Sequence, residues 1–169
     1  MIEESELLKD GVLMTANLMA VAAKTAPKAR GRDNIVVKVL STREELEMLA
    51  RKMEELAKDF GEFFLRDAQN VRNSLAVVLI GCKLIELGLR KPRSWSLDAD
   101  TVCSLVNLGI ALGSAVKTAS IMNVDNRIMF SAGIAAQELK LLEADYVFAI
   151  PLSATSKSIY FDRVWPPKH

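Results

Sequence analysis

The sequence predicts a layered α/β fold in which helices pack on a small sheet. Stretches with the three-and-four spacing of amphipathic helices alternate along the chain with short β-branched or apolar runs. This alternation is typical of layered α/β proteins. The chain has 169 residues, of which 50% are hydrophobic, and this is enough for one sizeable core. We therefore expect one domain over residues 1–169.

The first helix is predicted over residues 4–26, where apolar side chains recur at helical spacing and should bury a wide stripe. The stripe consists of Leu7, Leu8, Val12, Met14, Thr15, Leu18, Met19 and Val21. Pro27 stops this helix, and residues 28–34 form a polar connection into a β-branched strand at 35–40.

The same signals predict the rest of the chain. Ser41 and Glu44 are expected to form a capping box at the start of the second helix, and Asp98 or Asp100 to cap the long helix. The predicted elements are a helix to about Phe60, a connection at 62–74, a strand at 75–80, a loop at 83–97, a long helix to about Met122, a turn at 123–126, a helix to about Leu142 and a strand at 146–152.

Composition argues against several classes of function. The 22 basic and 21 acidic residues leave a net charge of +1, so we expect neither nucleic acid nor a membrane as partner. The first residues, MIEESELLKD, are unlike a signal peptide, and the longest apolar run, 102–116, is too short to span a bilayer. Cys82 and Cys103 are expected as free thiols in a cytoplasmic protein.

Cations and hydroxyl groups form the main candidate site. The cations precede the first strand, and the hydroxyl-rich loop 153–158 follows the last one. If both lie at one edge of the sheet, they would form a pocket for a small anionic ligand. The expected contacts of that pocket are Lys28, Arg30, Ser156 and Lys157, with Lys24 and Arg32 nearby. A simpler interpretation is that the lysines offset the negative end of the first helix and the hydroxyls bond local backbone.

Other polar residues allow weaker predictions. Two groups could contact a ligand or could simply cap helices and form turns: Asp67, Asn70, Arg72 and Asn73 before the second strand, and Asp125, Asn126 and Arg127 before the last helix. The single histidine, His169, is the last residue and a poor candidate for acid–base catalysis. We find no catalytic triad, no metal-ligand cluster and no nucleotide fingerprint in the sequence.

Five stretches together resemble a family of uncharacterised bacterial and archaeal proteins described as containing a ferredoxin domain. They are AVAAKTAPKARGRDNI at 20–35, FFLRDAQNVRNS at 63–74, LGIALGSAVKTAS at 108–120, NVDNRIMFSAGIAA at 123–136 and IPLSATSKSIYFDR at 150–163. In related proteins, a cysteine-rich stretch before the long helix looks able to ligate an iron–sulfur cluster. Here that stretch holds only Cys103, whereas an ordinary cluster needs four thiolates. We expect no iron–sulfur cluster, and Cys103 is either a remnant ligand or a core residue.

The chain also resembles nitroreductase-like flavoproteins. The similar features are the turn at Ala26-Pro27, the small-residue helix at 108–120 and the strand that runs into Ile150-Pro151. The resemblance implies flavin mononucleotide (FMN) as a ligand. The basic N-terminal phosphate motif of those proteins is absent from MIEESELLKD.

Two functional hypotheses follow. In the first, the chain binds a flavin or another phosphate-bearing ligand and is a redox protein, with the cofactor supplying the chemistry; as an enzyme it would be a flavin-dependent oxidoreductase. In the second, it is a non-catalytic assembly or partner-binding domain. We expect a homodimer in both cases, because the long helix has a small-residue face and the tail from about 158 carries aromatic residues that should pack on a partner.

Overall fold

The structure, a computed structural model, describes residues 1–162. Its elements are α1 (Glu4–Thr25), β1 (Ile35–Leu40), α2 (Arg43–Phe60), α3 (Phe63–Arg72), β2 (Ala76–Cys82), α4 (Ala99–Ile121), β3 (Asp125–Asn126), α5 (Phe130–Glu138) and β4 (Tyr146–Ser153). A short 3-10 turn, Ala29–Gly31, leads towards β1. The predictions about His169 and about the tail after Asp162 fall outside the described residues.

The four strands form one antiparallel sheet in the order β1-β2-β4-β3. β2 lies between β1 and β4 and is buried along its whole length, as its apolar sequence predicts. Cys82, at the end of β2, is paired with both Ile35 and Tyr146. The chain therefore enters β1 and β4 at the Cys82 end of the sheet and leaves both strands at the Ala76 end. This register decides which loops can meet.

Helices cover both faces of the sheet, so the predicted layered fold is confirmed. α1 and α4 pack on one face, where Met19 and Leu108 contribute to the core. α2, α3 and α5 pack on the other face. α5 lies very close to β4, since a Cβ added at Gly133 would lie 2.2 Å from the carbonyl oxygen of Val147. Each core is thus shared by the sheet and one layer of helices.

The capping box of α2 lies one residue later than predicted. Thr42 and Glu45 form it, not Ser41 and Glu44. The Thr42 side chain accepts from the Glu45 N–H, and the Glu45 carboxylate accepts from the Thr42 N–H at 3.0 Å. The Ser41 N–H donates to the same carboxylate at 2.8 Å. Ser41 therefore belongs to the chain entering the helix, because the strand before it extends to Leu40.

The sequence predicts a connection at 62–74, where the structure has helix α3. Phe64, Ala68 and Val71 recur at helical spacing and are buried against the α2–α5 layer. The last helix is also shorter than predicted. The chain first forms β3, which pairs with the end of β4, and only then begins α5.

Helix α1 buries only part of its predicted stripe. Val12 and Met19 lie in the core, whereas Leu7, Met14, Leu18 and Val21 are exposed. Helix α4 is the one helix of residues 1–162 that is long and apolar enough to cross a membrane. Its buried side packs with α1 and the sheet, which is the role of a core helix.

Candidate anion-binding site

The two predicted halves of the pocket lie at opposite ends of the sheet. Residues 28–34 enter β1 at the Cys82 end, whereas loop 153–158 follows β4 at the Ala76 end. A strand of six residues spans about 20 Å. The structure therefore does not bring Lys28 and Arg30 together with Ser156 and Lys157 within one chain. The prediction assumed that the entry to the first strand and the exit from the last strand lie at the same edge. β1 and β4 both pair antiparallel with β2, so they run in the same direction, and the start of one lies at the opposite end from the end of the other.

The Lys28 ammonium group lies at the C-terminal end of α1. Its Nζ donates to the carbonyl oxygens of Lys24 and Ala26 at 2.6 and 2.8 Å, and its side chain is 6% exposed. Lysine there satisfies the unpaired carbonyls at a helix end and offsets its negative dipole. The simpler interpretation of Lys28 therefore accounts for its contacts.

Lys24, one turn earlier on α1, contacts the connection into β1. Its Nζ donates to the carbonyl oxygen of Ile35 at 2.6 Å and pairs with Asp33. Burial alone would raise the pKa of Asp33, but the hydrogen bond from Lys24 and a backbone hydrogen bond from Ile35 leave that pKa below its usual value. The connection into β1 is thus fastened to α1 by charge.

Arg30 and Arg32 extend from this connection to the loop after β2. Arg30 has a φ of 55° and is followed by Gly31 at 66°, so the backbone turns sharply here. Arg30 Nη1 donates to the Leu87 carbonyl oxygen at 2.6 Å, and Arg32 Nη1 donates to the Glu86 carbonyl oxygen. Neither guanidinium forms an ion pair with a carboxylate within residues 1–162.

The two arginines line an open cleft. The cleft has a volume of about 620 Å³, and its walls are Arg30, Arg32 and the loop residues Ile85, Glu86, Leu87 and Gly88. Since an arginine has five N–H donors, each guanidinium keeps donors in addition to the one used on the loop carbonyl. The cleft can therefore accept an anion.

A buried amide pair ties the connection before β1 to α4 and to the start of the loop after β2. Asn107 of α4 accepts from the Ala29 N–H at 2.8 Å and donates to Asn34 Oδ1 at 2.9 Å. Asn34 in turn donates to the Lys83 carbonyl oxygen at 2.8 Å. Asn107 interrupts the apolar run at 102–116 of the sequence. An asparagine in such a run is itself a signal, because buried amides need partners.

Ser156 and Lys157 are exposed at the other end of the sheet. Near them, the Thr155 hydroxyl donates to the Lys157 carbonyl oxygen at 2.6 Å. This is the local backbone bonding that the simpler interpretation expected. The beginning of the predicted tail packs on its own chain, since Tyr160 is fully buried and its hydroxyl lies 2.8 Å from Ser74 Oγ.

The second predicted polar cluster lies inside the α3–α5 layer. Asp67 accepts from Ser131 at 2.6 Å and pairs with Arg66, so it joins two helices. Asn70 is buried nearby, and its Nδ2 has no hydrogen-bond partner within residues 1–162. Arg72 and Asn73 point elsewhere, with Arg72 paired to Glu47 and Glu54.

In the third cluster, Asp125 and Asn126 form β3, and Arg127 lies over the Phe161 ring.

The two cysteines lie on separate elements. Cys82 is buried at the end of β2 and Cys103 is half-buried on α4. Burial, together with the charge of Asp145, raises the pKa of Cys82 to about 11. Within residues 1–162, no group of three or more His, Cys, Asp or Glu side chains could hold a metal ion.

Three solved structures illustrate the fold that this chain shares. The hypothetical oxidoreductase YcnD from Bacillus subtilis matches with a TM-score of 0.57 at 16% identity, over 86% of this chain and 58% of its own. A nitroreductase family protein from Clostridium novyi matches with a TM-score of 0.60 at 15% identity, over 94% of this chain and 76% of its own. The NADPH:FMN oxidoreductase from Vibrio harveyi, complexed with NAD+, matches with a TM-score of 0.57 at 14% identity, over 86% of this chain and 60% of its own.

These likenesses show a nitroreductase-like fold. The chain spans less than two thirds of the YcnD and Vibrio harveyi chains, so part of each lies outside the shared fold.

The sequence itself matches a family model and a full-length relative. Residues 98–163 match the family described as "Uncharacterized protein containing a ferredoxin domain (DUF2148)", and Cys103 is the only cysteine in that stretch. An uncharacterized protein from Archaeoglobus fulgidus is 39% identical over 96% of this chain and 97% of its own length. The chain therefore belongs to this family of uncharacterised ferredoxin-domain proteins, built on a nitroreductase-like fold.

Proposed function

We propose that the chain is a flavin-binding redox protein that holds the phosphate of FMN in the cleft between residues 29–32 and 85–88. One observation carries the proposal: Arg30 and Arg32 meet at this cleft, and neither has a carboxylate partner among residues 1–162. The fold supports it, since one protein of the same fold is named an NADPH:FMN oxidoreductase.

The residues of the cleft fit a phosphate-bearing ligand. Arginine binds phosphate with two parallel N–H donors, and both guanidinium groups are already held in place by loop carbonyls. The volume of about 620 Å³ lies within the range of cofactor pockets. Ile85 and Leu87 supply apolar wall. When bound, FMN would supply the electron-transfer chemistry, and the chain would bind and orient it.

Lys28 has a positioning role in this proposal. Its ammonium already donates to backbone carbonyls, so it fixes the turn that presents Arg30 instead of contacting the ligand. The direct contacts are then Arg30 and Arg32.

Ser156 and Lys157 contribute through a second copy of the chain. They lie at the far end of the sheet from Arg30. A twofold axis perpendicular to the strands would place the Ala76 end of one subunit, with Ser156 and Lys157, beside the Cys82 end of its partner, with Arg30. We propose a cytoplasmic homodimer in which loop 153–158 closes the partner's cleft, and in which no iron–sulfur cluster is present.

Calorimetric titration tests the ligand. FMN and inorganic phosphate are titrated into wild type, Arg30→Gln/Arg32→Gln and a control of equal charge change on α2, Arg51→Gln/Lys58→Gln. We expect FMN to bind wild type and the control, and binding to fall at least about tenfold in the cleft variant, since each lost charge-assisted hydrogen bond costs about 1.5–3 kcal/mol. No binding to wild type, or equal binding to all three, would contradict the proposal.

A second candidate function is a non-catalytic assembly domain. The observation that favours it is the exposed apolar side of α1, where Met14 is 62% exposed. It predicts a colourless protein that binds no flavin, and the titration separates the two functions.

A further inference from the structure

The loop between β2 and α4 exposes cations and large apolar side chains in one short segment. Residues 90–98 are all exposed, and the Trp95 side chain among them is 42% exposed. We call five of these side chains the loop surface: Arg90, Lys91, Arg93, Trp95 and Leu97. Tryptophan and arginine are the residue types that carry much of the binding energy of protein interfaces. The loop surface therefore has the composition of an interaction site.

Hydrogen bonds within the loop order the loop surface. The Lys91 Nζ donates to the Ser96 carbonyl oxygen at 2.8 Å, and the Trp95 N–H donates to the Pro92 carbonyl oxygen at 3.1 Å. The ring of Pro92 also fixes its own φ. A surface that is ordered before binding loses less conformational entropy when a partner docks.

The cations of the loop surface are not neutralised by their own chain. Within residues 1–162, none of the three forms an ion pair with a carboxylate. The carboxylates that follow them in the chain bind backbone N–H groups instead. Asp98 accepts from the Thr101 N–H at 2.8 Å, and Asp100 accepts from the Leu89 N–H at 3.0 Å. The three cations can therefore pair with acidic groups of a partner.

Charge is unevenly distributed over the chain. Residues 24–34 and 83–100 together hold eight basic and four acidic residues, whereas the rest of the chain holds 14 basic and 17 acidic residues. The two segments meet where Arg30 and Arg32 donate to carbonyl oxygens of the loop. This side of the protein therefore carries a net charge of +4 and the remainder −3. Such a field turns the loop surface towards a negatively charged partner during encounter.

The composition of the loop surface favours a protein as that partner. Protein interfaces combine apolar side chains with a polar rim and are enriched in tryptophan and arginine. Proteins that bind single-stranded nucleic acid stack successive bases on several aromatic side chains, whereas Trp95 is the only aromatic residue of segment 83–100. A fitting partner presents carboxylates beside an apolar patch.

We propose that the loop surface docks an acidic one-electron carrier protein, which delivers electrons to the cleft of Arg30 and Arg32. This assignment rests on the proposed function, because FMN in that cleft is the electron acceptor. Gly88 lines the cleft and Arg90 follows two residues later, so a carrier on the loop surface would lie beside the flavin. Two reduced carriers each give up one electron, and these electrons with two protons from solvent convert one FMN to FMNH2.

Calorimetric titration of a carrier into the flavin-free protein tests the docking. The carrier is an acidic plant-type [2Fe–2S] ferredoxin, and the basic carrier cytochrome c should not bind. We expect ferredoxin to bind wild type, and Arg90→Glu/Arg93→Glu to weaken binding at least about tenfold, because like charges then meet across the interface. The matched control Arg51→Glu/Lys58→Glu reverses two exposed charges of α2 and should bind ferredoxin as wild type does. Circular dichroism checks that each variant is folded.

Trp95→Ala tests the apolar part of the loop surface. Loss of the indole ring should weaken ferredoxin binding at least about fivefold, whereas Trp95→Phe should keep most of the affinity. The dependence of the affinity on salt should stay as in wild type for both variants, since neither alters a charge.

Ferredoxin that does not bind wild type, that binds both charge variants equally, or that is indifferent to Trp95→Ala would overturn the inference. A single-stranded poly-dT oligonucleotide that binds wild type more tightly than ferredoxin does would also overturn it, because the loop surface would then be a nucleic-acid site.

Flavin reduction separates this inference from the proposed function. With FMN bound, reduced ferredoxin at low concentration should bleach the flavin of wild type at least about tenfold faster than that of Arg90→Glu/Arg93→Glu. A flavin-loaded protein that does not bind ferredoxin would leave the proposed function standing and overturn the docking. A colourless protein that binds ferredoxin would support the docking surface and remove the flavin function.

Discussion

Arg30 and Leu87 are joined by a hydrogen bond of 2.6 Å from the guanidinium to the backbone carbonyl, although they are 57 positions apart in the chain. This contact ties the turn after α1 to the loop after β2. Arg30 keeps other N–H donors, and its side chain lines the cleft between the two segments.

Asn107→Ala should destabilise the protein. The change removes the acceptor for the Ala29 N–H and the donor for Asn34 Oδ1, and each buried polar group left unpaired costs about 1–3 kcal/mol. Urea unfolding followed by circular dichroism measures the loss. Asn17→Ala, at an exposed position of α1, is the control and should change stability by less than about 0.5 kcal/mol. Equal stability of the two variants would mean that the amide pair does not support the cleft.

Acid should weaken the α2–α3 contact. Hydrogen bonds from Arg72 and Arg51 lower the pKa of Glu47 to about 2. Because the folded-state pKa is depressed, the contribution of Glu47 to stability is present above its unfolded value near 4.5 and is lost as the pH falls towards 2. Arg72→Met should therefore show a smaller loss of unfolding free energy between pH 7 and pH 3 than wild type.

Arg51→Met is the control for this measurement. Arg51 makes one exposed contact with Glu47, whereas Arg72 bridges Glu47 and Glu54. The pH dependence of Arg51→Met should therefore lie between those of wild type and Arg72→Met. If Arg72→Met loses as much stability in acid as wild type, the Glu47 carboxylate is not held by Arg72.

The two thiols should differ in reactivity. The thiolate is the reacting form, and burial raises the pKa of Cys82 to about 11. Iodoacetamide at pH 8 should modify the half-buried Cys103 first, with Cys82 reacting only after unfolding in urea. Peptide mass spectrometry distinguishes the two sites. Faster labelling of Cys82 in the folded protein would contradict its burial.

The purified protein should contain no iron–sulfur cluster. An iron–sulfur cluster takes four thiolates, and each chain has two cysteines. One of them, Cys82, is buried at the end of β2. Iron and acid-labile sulfide are measured after anaerobic purification, and both should be far below one per dimer. Stoichiometric amounts of both would show that two copies pool their cysteines.

Local patterns in the sequence predicted most of the fold. The β-branched run before Ser41 and the apolar runs around Val78 and Ala149 identify the three long strands, because each is short and bounded by polar or turn residues. Helix α3 was missed because Gly61 and Glu62 alone separate it from α2. A glycine that ends one helix does not show whether another begins at once.

The candidate site was only half predictable. Arg30 was identified from its charge and its place before a strand, but its neighbour Leu87 depends on the pairing of β1 with β2. Charge and spacing do not reveal the order or direction of strands. The sequence therefore could not show that Ser156 lies at the far end of the sheet from Arg30, a separation that the register decides.

The most direct test of the account is the visible absorption spectrum of the protein after incubation with FMN and removal of free flavin by gel filtration. We predict that wild type elutes yellow with about one flavin per chain, and that Arg30→Gln/Arg32→Gln elutes at the same volume with little or none, because two guanidinium contacts to the phosphate are lost. A colourless wild-type peak, or a variant that retains as much flavin as wild type, would contradict the assignment of this cleft.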